Sequence, residues 1–204
     1  MRRGMLYLTT GVAAVGLWAP PASATPTQIE FGSNYFNPND VTVNFFPGEN
    51  TFEWNRNDAN KNFHSITAKG GSFGIGPSGF GDFNLKVSAG TYPYYCVNHG
   101  QGAGPMQGQV AVRPIVGVIN SDEFDVIWAG GGTQTGSSFT TRWKKQGQRR
   151  WKDWHNFIEA KHKVFGANDK PTHVKLHKTY LIQVRSSGPG SSKWSPSLSV
   201  TVEP

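Results

Sequence analysis

The chain has 204 residues, 36% of them hydrophobic and 16% charged, and carries a formal charge of +7. Glycine (25 residues) and proline (13) are abundant, and this balance favours short strands and turns over helices. A single cysteine excludes a fold held by internal disulfides. The protein must therefore be stabilised by hydrophobic cores, and its one thiol needs another explanation.

The first 24 residues have the composition of an export signal. Arg2 and Arg3 form a basic start, Met5–Trp18 is mostly apolar, and Ala22-Ser23-Ala24 offers an A-x-A cleavage site. We expect the mature chain to begin at Thr25 and to be exported, to the periplasm or to the cell envelope and exterior. An uncleaved anchor is the alternative. No later stretch approaches the roughly 20 apolar residues of a spanning helix, so no membrane span is expected in the mature chain.

Residues 25–113 alternate short apolar segments with turns. The predicted strands are Val41–Phe46, Thr51–Asn55, Phe63–Thr67, Asp82–Val87, Thr91–Cys96 and Gly108–Val112, with a glycine-rich loop over Gly70–Gly81. Short strands at this spacing are typical of a β-sandwich or barrel.

The most informative segment surrounds Cys96. His99 and Met106 follow it on the same loop, and His64 lies about thirty residues upstream. Two imidazoles, one thiolate and a weak axial thioether describe a blue-copper electron-transfer site. We therefore predict one copper ion per chain, alternating between Cu(I) and Cu(II), with these four side chains as ligands. The alternatives are a cysteine without a role, an intermolecular disulfide, and a methionine that only fills the core.

Several further motifs recur in a fixed order along residues 28–113. They are Phe36-Asn37-Pro38, Pro47-Gly48 before Trp54, Phe63-His64-Ser65, Gly90–Cys96, His99 and Gly102–Gly108. Together they resemble the cupredoxin family, in particular its plastocyanin- and amicyanin-like members. The resemblance implies a Greek-key β-sandwich with a type 1 copper site and a transient redox partner protein. Two features depart from the family pattern: the spacing from Cys96 to Met106 is longer, and Ser65 stands where asparagine is common.

The ligand set also indicates what the protein does. Four protein ligands leave no open position for a substrate, and the His-x-His pairs or second cysteine of other copper enzymes are absent from the sequence. We therefore expect a single-electron carrier and no enzyme. A protein for copper acquisition, delivery or tolerance could use the same ligands to hold Cu(I). A third possibility is an adhesive envelope protein that keeps a metal for stability.

Residues 114–204 form a second strand-rich half. The predicted strands are Phe124–Trp128, Phe139–Trp143, Thr179–Arg185 and Ser197–Val202. With Trp128, Tyr180 and Trp194-Ser195, this half resembles a fibronectin type III domain. The segment Gln146–Thr172 matches poorly and is expected to hold a divergent strand or a helical turn. The overall expectation is an all-β chain of two sandwiches, residues 25–113 and 114–204.

The two halves differ in charge. Residues 25–113 have five basic and six acidic side chains, whereas residues 114–204 have thirteen and seven. The segment Arg142–Trp154 interleaves cations with indoles, as would suit an anionic envelope polymer or an acidic protein partner. Alternatively, Trp143 belongs to the core and Arg185 stacks on Trp194 to stabilise the strands. Nucleic acid is not an expected partner of an exported protein.

Overall fold

The computed structural model describes residues 26–32, 34–46, 51–56, 64–78, 83–100, 104–119, 122–133, 135–166, 174–188 and 190–203. The expected export signal lies outside these residues, as do Pro47-Gly48, Phe63 and Gly102-Ala103 of the motifs. The described residues form strands and no helix, which confirms the all-β expectation. Within them, no helix is long and apolar enough to cross a membrane.

The described residues of the first half form nine strands in two sheets. They are β1 (Thr27–Gly32), β2 (Tyr35–Asn37), β3 (Asp40–Asn44), β4 (Thr51–Arg56), β5 (His64–Ala68), β6 (Gly74–Ser78), β7 (Phe83–Lys86), β8 (Gly90–Tyr95) and β9 (Gln107–Arg113). One sheet has the order β2-β1-β4-β7 and the other β3-β9-β8-β5-β6. The pairs β1/β4 and β3/β9 are parallel, and the other pairs are antiparallel.

Strand β8 illustrates how the sequence builds this half. Its side chains alternate strictly, so Tyr92 and Tyr94 are buried while Tyr95 is half-buried, as the two-residue period of a strand requires. Trp54 of β4, fully buried, meets Tyr94 edge to face at 5.4 Å between ring centroids. Such aromatic pairs join the two sheets, and the strand delivers Cys96 to its carboxyl end.

The glycine-rich segment Gly70–Gly81 was expected to be a loop throughout, and part of it is strand β6. Gly74 and Ile75 pair with Thr67 and Ile66 of β5. Glycine has low strand propensity because it has no side chain to pack. Here the cross-strand backbone hydrogen bonds to β5 outweigh that preference, which a local pattern does not show.

In the second half, seven strands lie within the part of the chain that the structure describes. They are β10 (Ile115–Ile119), β11 (Glu123–Ile127), β12 (Ser138–Lys145), β13 (Lys152–Ile158), β14 (His162–Gly166), β15 (Thr179–Ser187) and β16 (Leu198–Thr201). A sheet of order β10-β11-β14 faces one of order β13-β12-β15-β16. This three-plus-four sandwich is the fibronectin type III-like architecture that the sequence predicted. The poorly matching segment 146–172 holds two strands, β13 and β14, where one strand or a helical turn was expected.

The two halves are joined by direct hydrogen bonds. The Ala89 N–H donates to the Trp128 carbonyl at 2.7 Å, and Thr91 and Lys193 exchange backbone hydrogen bonds of 3.1 and 2.8 Å. Ala89 packs within the core of the second half. Strand β8, which leads directly to Cys96, therefore begins in contact with the second sandwich.

A cluster of buried hydroxyl groups strengthens this contact. The Tyr92 hydroxyl lies 2.7 Å from Ser88 Oγ and 3.1 Å from Thr135 Oγ1. Ser88 N–H also donates to Thr135 Oγ1 at 3.0 Å. Burial raises the pKa of Tyr92, and the hydrogen bonds from its hydroxyl partners lower it by less. A hydroxyl buried without partners would be costly, so the cluster fixes the halves at this point.

Candidate metal centre

The loop around Cys96 is closed by backbone hydrogen bonds. Cys96 N–H donates to the Met106 carbonyl at 3.1 Å, and Gly100 N–H donates to the Cys96 carbonyl at 2.7 Å. A Cβ at Gly100 would lie 2.1 Å from the Met106 oxygen, so the turn requires glycine there. Cys96 is a free cysteine with no exposed surface. This burial excludes the intermolecular disulfide considered from the sequence.

His64 reaches the same site from the neighbouring strand of the same sheet. It is the first residue of β5, which pairs with β8 through Thr67 opposite Tyr95 and Ala68 opposite Tyr94. The imidazole is buried, with 3% of its surface exposed. Phe31 of β1 packs edge to face on it at 5.8 Å, so both sheets hold the ring.

Three predicted ligands converge on one point. Cys96 Sγ lies 3.8 Å from Nδ1 of His64 and 3.5 Å from Nδ1 of His99, and the ligand atoms of the three residues lie within 4.8 Å of one another. Metal–nitrogen and metal–sulfur bonds of about 2.0 and 2.3 Å at angles of about 110–120° would separate sulfur from nitrogen by about 3.5–3.7 Å. The group of His64, Cys96 and His99 can therefore bind a metal ion.

Ser65 connects the two segments that carry the ligands. Its N–H points at Cys96 Sγ at 3.4 Å, and its Oγ accepts a hydrogen bond from Val97 N–H at 2.7 Å. Ser65 is 2% exposed. The serine that departs from the family pattern thus ties the His64 strand to the Cys96 loop. Its N–H also lies where it can stabilise negative charge on the sulfur.

Met106 is fully buried in the core of the first half. Its carbonyl is held by Cys96 N–H, which fixes its backbone beside the thiol. Those observations agree equally with an axial ligand and with a core side chain. Its role as fourth ligand stays a prediction.

His99 gives the site its contact with solvent. It is half-buried, whereas His64 and Cys96 are buried, and its ring lies 4.8 Å from that of His64. The neighbouring Gly104 lies so close that an added Cβ would be 2.4 Å from the His99 carbonyl oxygen. Gly104 therefore packs against the His99 backbone, and His99 is the most exposed of the three residues.

The sequence did not indicate Phe31 or Gly100 as parts of the site. Phe31 belongs to a strand that contributes no ligand, and only its position across the sandwich brings it to His64. Gly100 did carry a usable signal, because a glycine directly after a ligand histidine often marks a close backbone approach. Ser65 also carried a signal, because its departure from the family pattern left open how firmly the two ligand-bearing loops are connected.

The basic half shows the predicted stacking. Arg185 lies over the Trp194 ring at 4.6 Å, and Trp143 is buried with 3% of its surface exposed. Arg142 lies between two indoles, 4.0 Å from the Trp194 centroid and 4.7 Å from that of Trp151. The predicted stacking of Arg185 on Trp194 and the predicted core position of Trp143 are therefore both present in the structure. Whether this surface also binds a partner is a separate question.

Comparison with known proteins gives only distant likenesses. No family model matches the chain, and no curated protein matches it. A myokine structure is 14% identical over 45% of this chain and 93% of that one, with a TM-score of 0.37. The fn3 domain of human collagen alpha-1(XX) is 16% identical over 45% of this chain and 78% of that one, with a TM-score of 0.33. The FN1–FN3 domains of chicken CNTN1 are 13% identical over 88% of this chain and 69% of that one, with a TM-score of 0.35. At these values no argument about function follows.

Proposed function

We propose that this protein is an exported cupredoxin-like type 1 copper protein that transfers single electrons between redox partners. The observation that carries the proposal is the placement of Cys96 Sγ at 3.5 and 3.8 Å from the Nδ1 atoms of two histidines. A two-sheet sandwich with the ligands at the end of β8 supports the cupredoxin part. Copper, when bound, would supply a centre that gains or loses one electron.

The donor set favours copper over other metals. A thiolate with two imidazoles suits both copper oxidation states, and a thioether ligand from Met106 would favour Cu(I) further. Zinc in structural sites usually has four strong ligands, commonly two or more cysteines. The described residues place one cysteine with the two histidines, and the buried Met106 is our proposed fourth ligand.

The surroundings support electron transfer because they hold the ligands in place. Ser65 links the ligand-bearing segments, Phe31 packs on His64, and Gly100 allows the loop to close on Met106. Side chains fixed in this way would move little when the charge of the centre changes, so each transfer would require little rearrangement. The half-buried His99 provides the edge at which a transient partner would exchange electrons.

The test is to load the purified protein with Cu(II) and to record its visible spectrum and its electron self-exchange rate. We expect an intense thiolate-to-copper band with fast exchange. Cys96→Ser and His99→Ala should abolish that band, whereas His162→Ala should leave it unchanged, since His162 is exposed and pairs with Asp125. Thermal unfolding of the metal-free variants checks that they fold. Tight Cu(I) binding without the band would instead indicate copper acquisition, delivery or tolerance.

A further inference from the structure

We propose that the outer face of the four-stranded sheet in the second half binds an anionic polysaccharide. The surface in question is a row of alternating cations and rings, here called the cation–indole row. It consists of Arg185, Trp194, Arg142, Trp151 and Lys144. The proposal is independent of copper, because none of these residues belongs to the metal centre.

Strand geometry places the cations of the row on one face. On β12, Thr141 and Trp143 are buried, so Arg142 and Lys144 point to the opposite side. The register of β12 with β15 sets Thr140 opposite Arg185, which brings that guanidinium into the same row. The three cations of the row therefore share one face of the sheet.

Rings, and not carboxylates, hold these cations. Arg142 stacks between Trp151 and Trp194, and Lys144 lies 4.9 Å from the Trp151 centroid. Two nitrogens of Arg142 also donate to the side-chain oxygen of Gln183, a neutral acceptor, at 2.9 and 2.6 Å. Cation–π contacts fix a guanidinium without neutralising it, so the charge stays available to an anionic ligand.

One carboxylate lies close to the row. Asp153 faces Arg142 across the β12–β13 pair. Burial and the charge of Arg185 lower the pKa of Arg142, and Asp153 raises it by less. Arg149 and Arg150, both exposed, add positive charge in the adjoining turn. The face is therefore positive overall.

The structure favours a polysaccharide over a nucleic acid. Nucleobases bind single-strand-binding proteins by stacking on free aromatic faces, whereas cations already lie over the rings of Trp194 and Trp151. An indole also separates each cation from the next. This arrangement spaces the positive charges widely along the row. It suits a chain whose anionic groups recur once per sugar unit or less often.

The position of the row argues against a role in docking the redox partner. Thr91, near the start of β8, donates its Oγ1 hydrogen to the Trp194 carbonyl at 2.9 Å. Cys96 follows the other end of this strand, about 16 Å from Thr91 at about 3.3 Å per residue. A molecule seated on the row therefore contacts the end of the first sandwich remote from His99. A polymer bound there would hold the protein while leaving the metal edge accessible.

Heparin, a linear polysaccharide with sulfate and carboxylate groups, is a suitable probe, with neutral dextran as the uncharged control. We expect salt-sensitive binding of heparin and none of dextran. Lys144→Gln/Arg150→Gln should weaken heparin binding about fivefold for each cation removed. Lys161→Gln/Lys163→Gln removes the same charge near the opposite sheet and should change the affinity much less. Asp153→Asn should strengthen binding.

The double variants, Asp153→Asn and an oligonucleotide competitor each test the assignment of heparin binding to the cation–indole row. Equal weakening by both double variants would show that net charge alone attracts heparin and would overturn the assignment to the row. Unchanged binding by Asp153→Asn would do the same, because this substitution removes the carboxylate beside Arg142 without loss of a cation. A single-stranded oligonucleotide that binds as tightly as heparin of equal charge would reassign the row to nucleic acid. Thermal unfolding of each variant establishes that the fold is intact.

Discussion

Ser65→Ala is the sharpest test of how the metal centre is built. The substitution removes the Oγ that accepts the Val97 N–H at 2.7 Å and leaves the Ser65 N–H, which points at Cys96 Sγ, in place. Loss of a buried hydrogen-bond acceptor costs about 1–3 kcal/mol. The two ligand-bearing segments would then be joined by fewer contacts, and the N–H···S contact would lengthen.

Two measurements separate these effects. Chemical denaturation of the metal-free protein should show a loss of about 1–3 kcal/mol in the free energy of unfolding. The copper-loaded variant should have a lower reduction potential than the parent, since a weaker hydrogen bond to the sulfur stabilises Cu(I) less. Spectroelectrochemical titration measures that potential.

Ser195→Ala is the matched control. Ser195 is 1% exposed, and its Oγ accepts Val184 N–H at 3.1 Å in the second half, remote from the metal centre. It should lose similar stability and keep the spectrum and the potential unchanged. If Ser65→Ala alters stability alone, as the control does, then Ser65 does not position the ligands and the reasoning is wrong.

Three other perturbations have defined outcomes. Met106→Gln should retain the thiolate-to-copper band and shift the potential, and an unchanged spectrum and potential would remove Met106 from the ligand set. Gly100→Ala should destabilise the loop and weaken copper binding, because its Cβ would lie 2.1 Å from the Met106 oxygen. Gly131→Ala is the control, since an added Cβ there would meet open space, and it should have little effect. Chemical unfolding and copper titration measure both variants. Because the pKa of Tyr92 is raised in the folded protein, its hydroxyl stays protonated to a higher pH there than in the unfolded chain. The free energy of unfolding should therefore fall as the pH rises above about 10. Tyr92→Phe should be less stable at neutral pH and should show a smaller decline in alkaline denaturation curves; an equal decline would assign the effect to other groups.

The sequence by itself determined the candidate ligand residues and the class of fold. Cys96, His99 and Met106 share one short loop, so their proximity follows from chain connectivity alone. Glycine, proline and short apolar alternations indicated strands, because those patterns reflect local backbone preferences and the two-residue period. Trp128, Tyr180 and Trp194 similarly indicated the second sandwich, since each occupies a characteristic place relative to a strand.

Only the tertiary structure decided what lies around those atoms. His64 meets Cys96 because β5 pairs with β8, and Phe31 reaches His64 across the sandwich. The pairing of β6 overrode a glycine-rich sequence that favoured a loop. The Tyr92 hydroxyl cluster depends on Thr135, more than forty residues away. Contacts of this kind depend on which strands become neighbours, and strand pairing is a property of the whole chain that no local pattern contains.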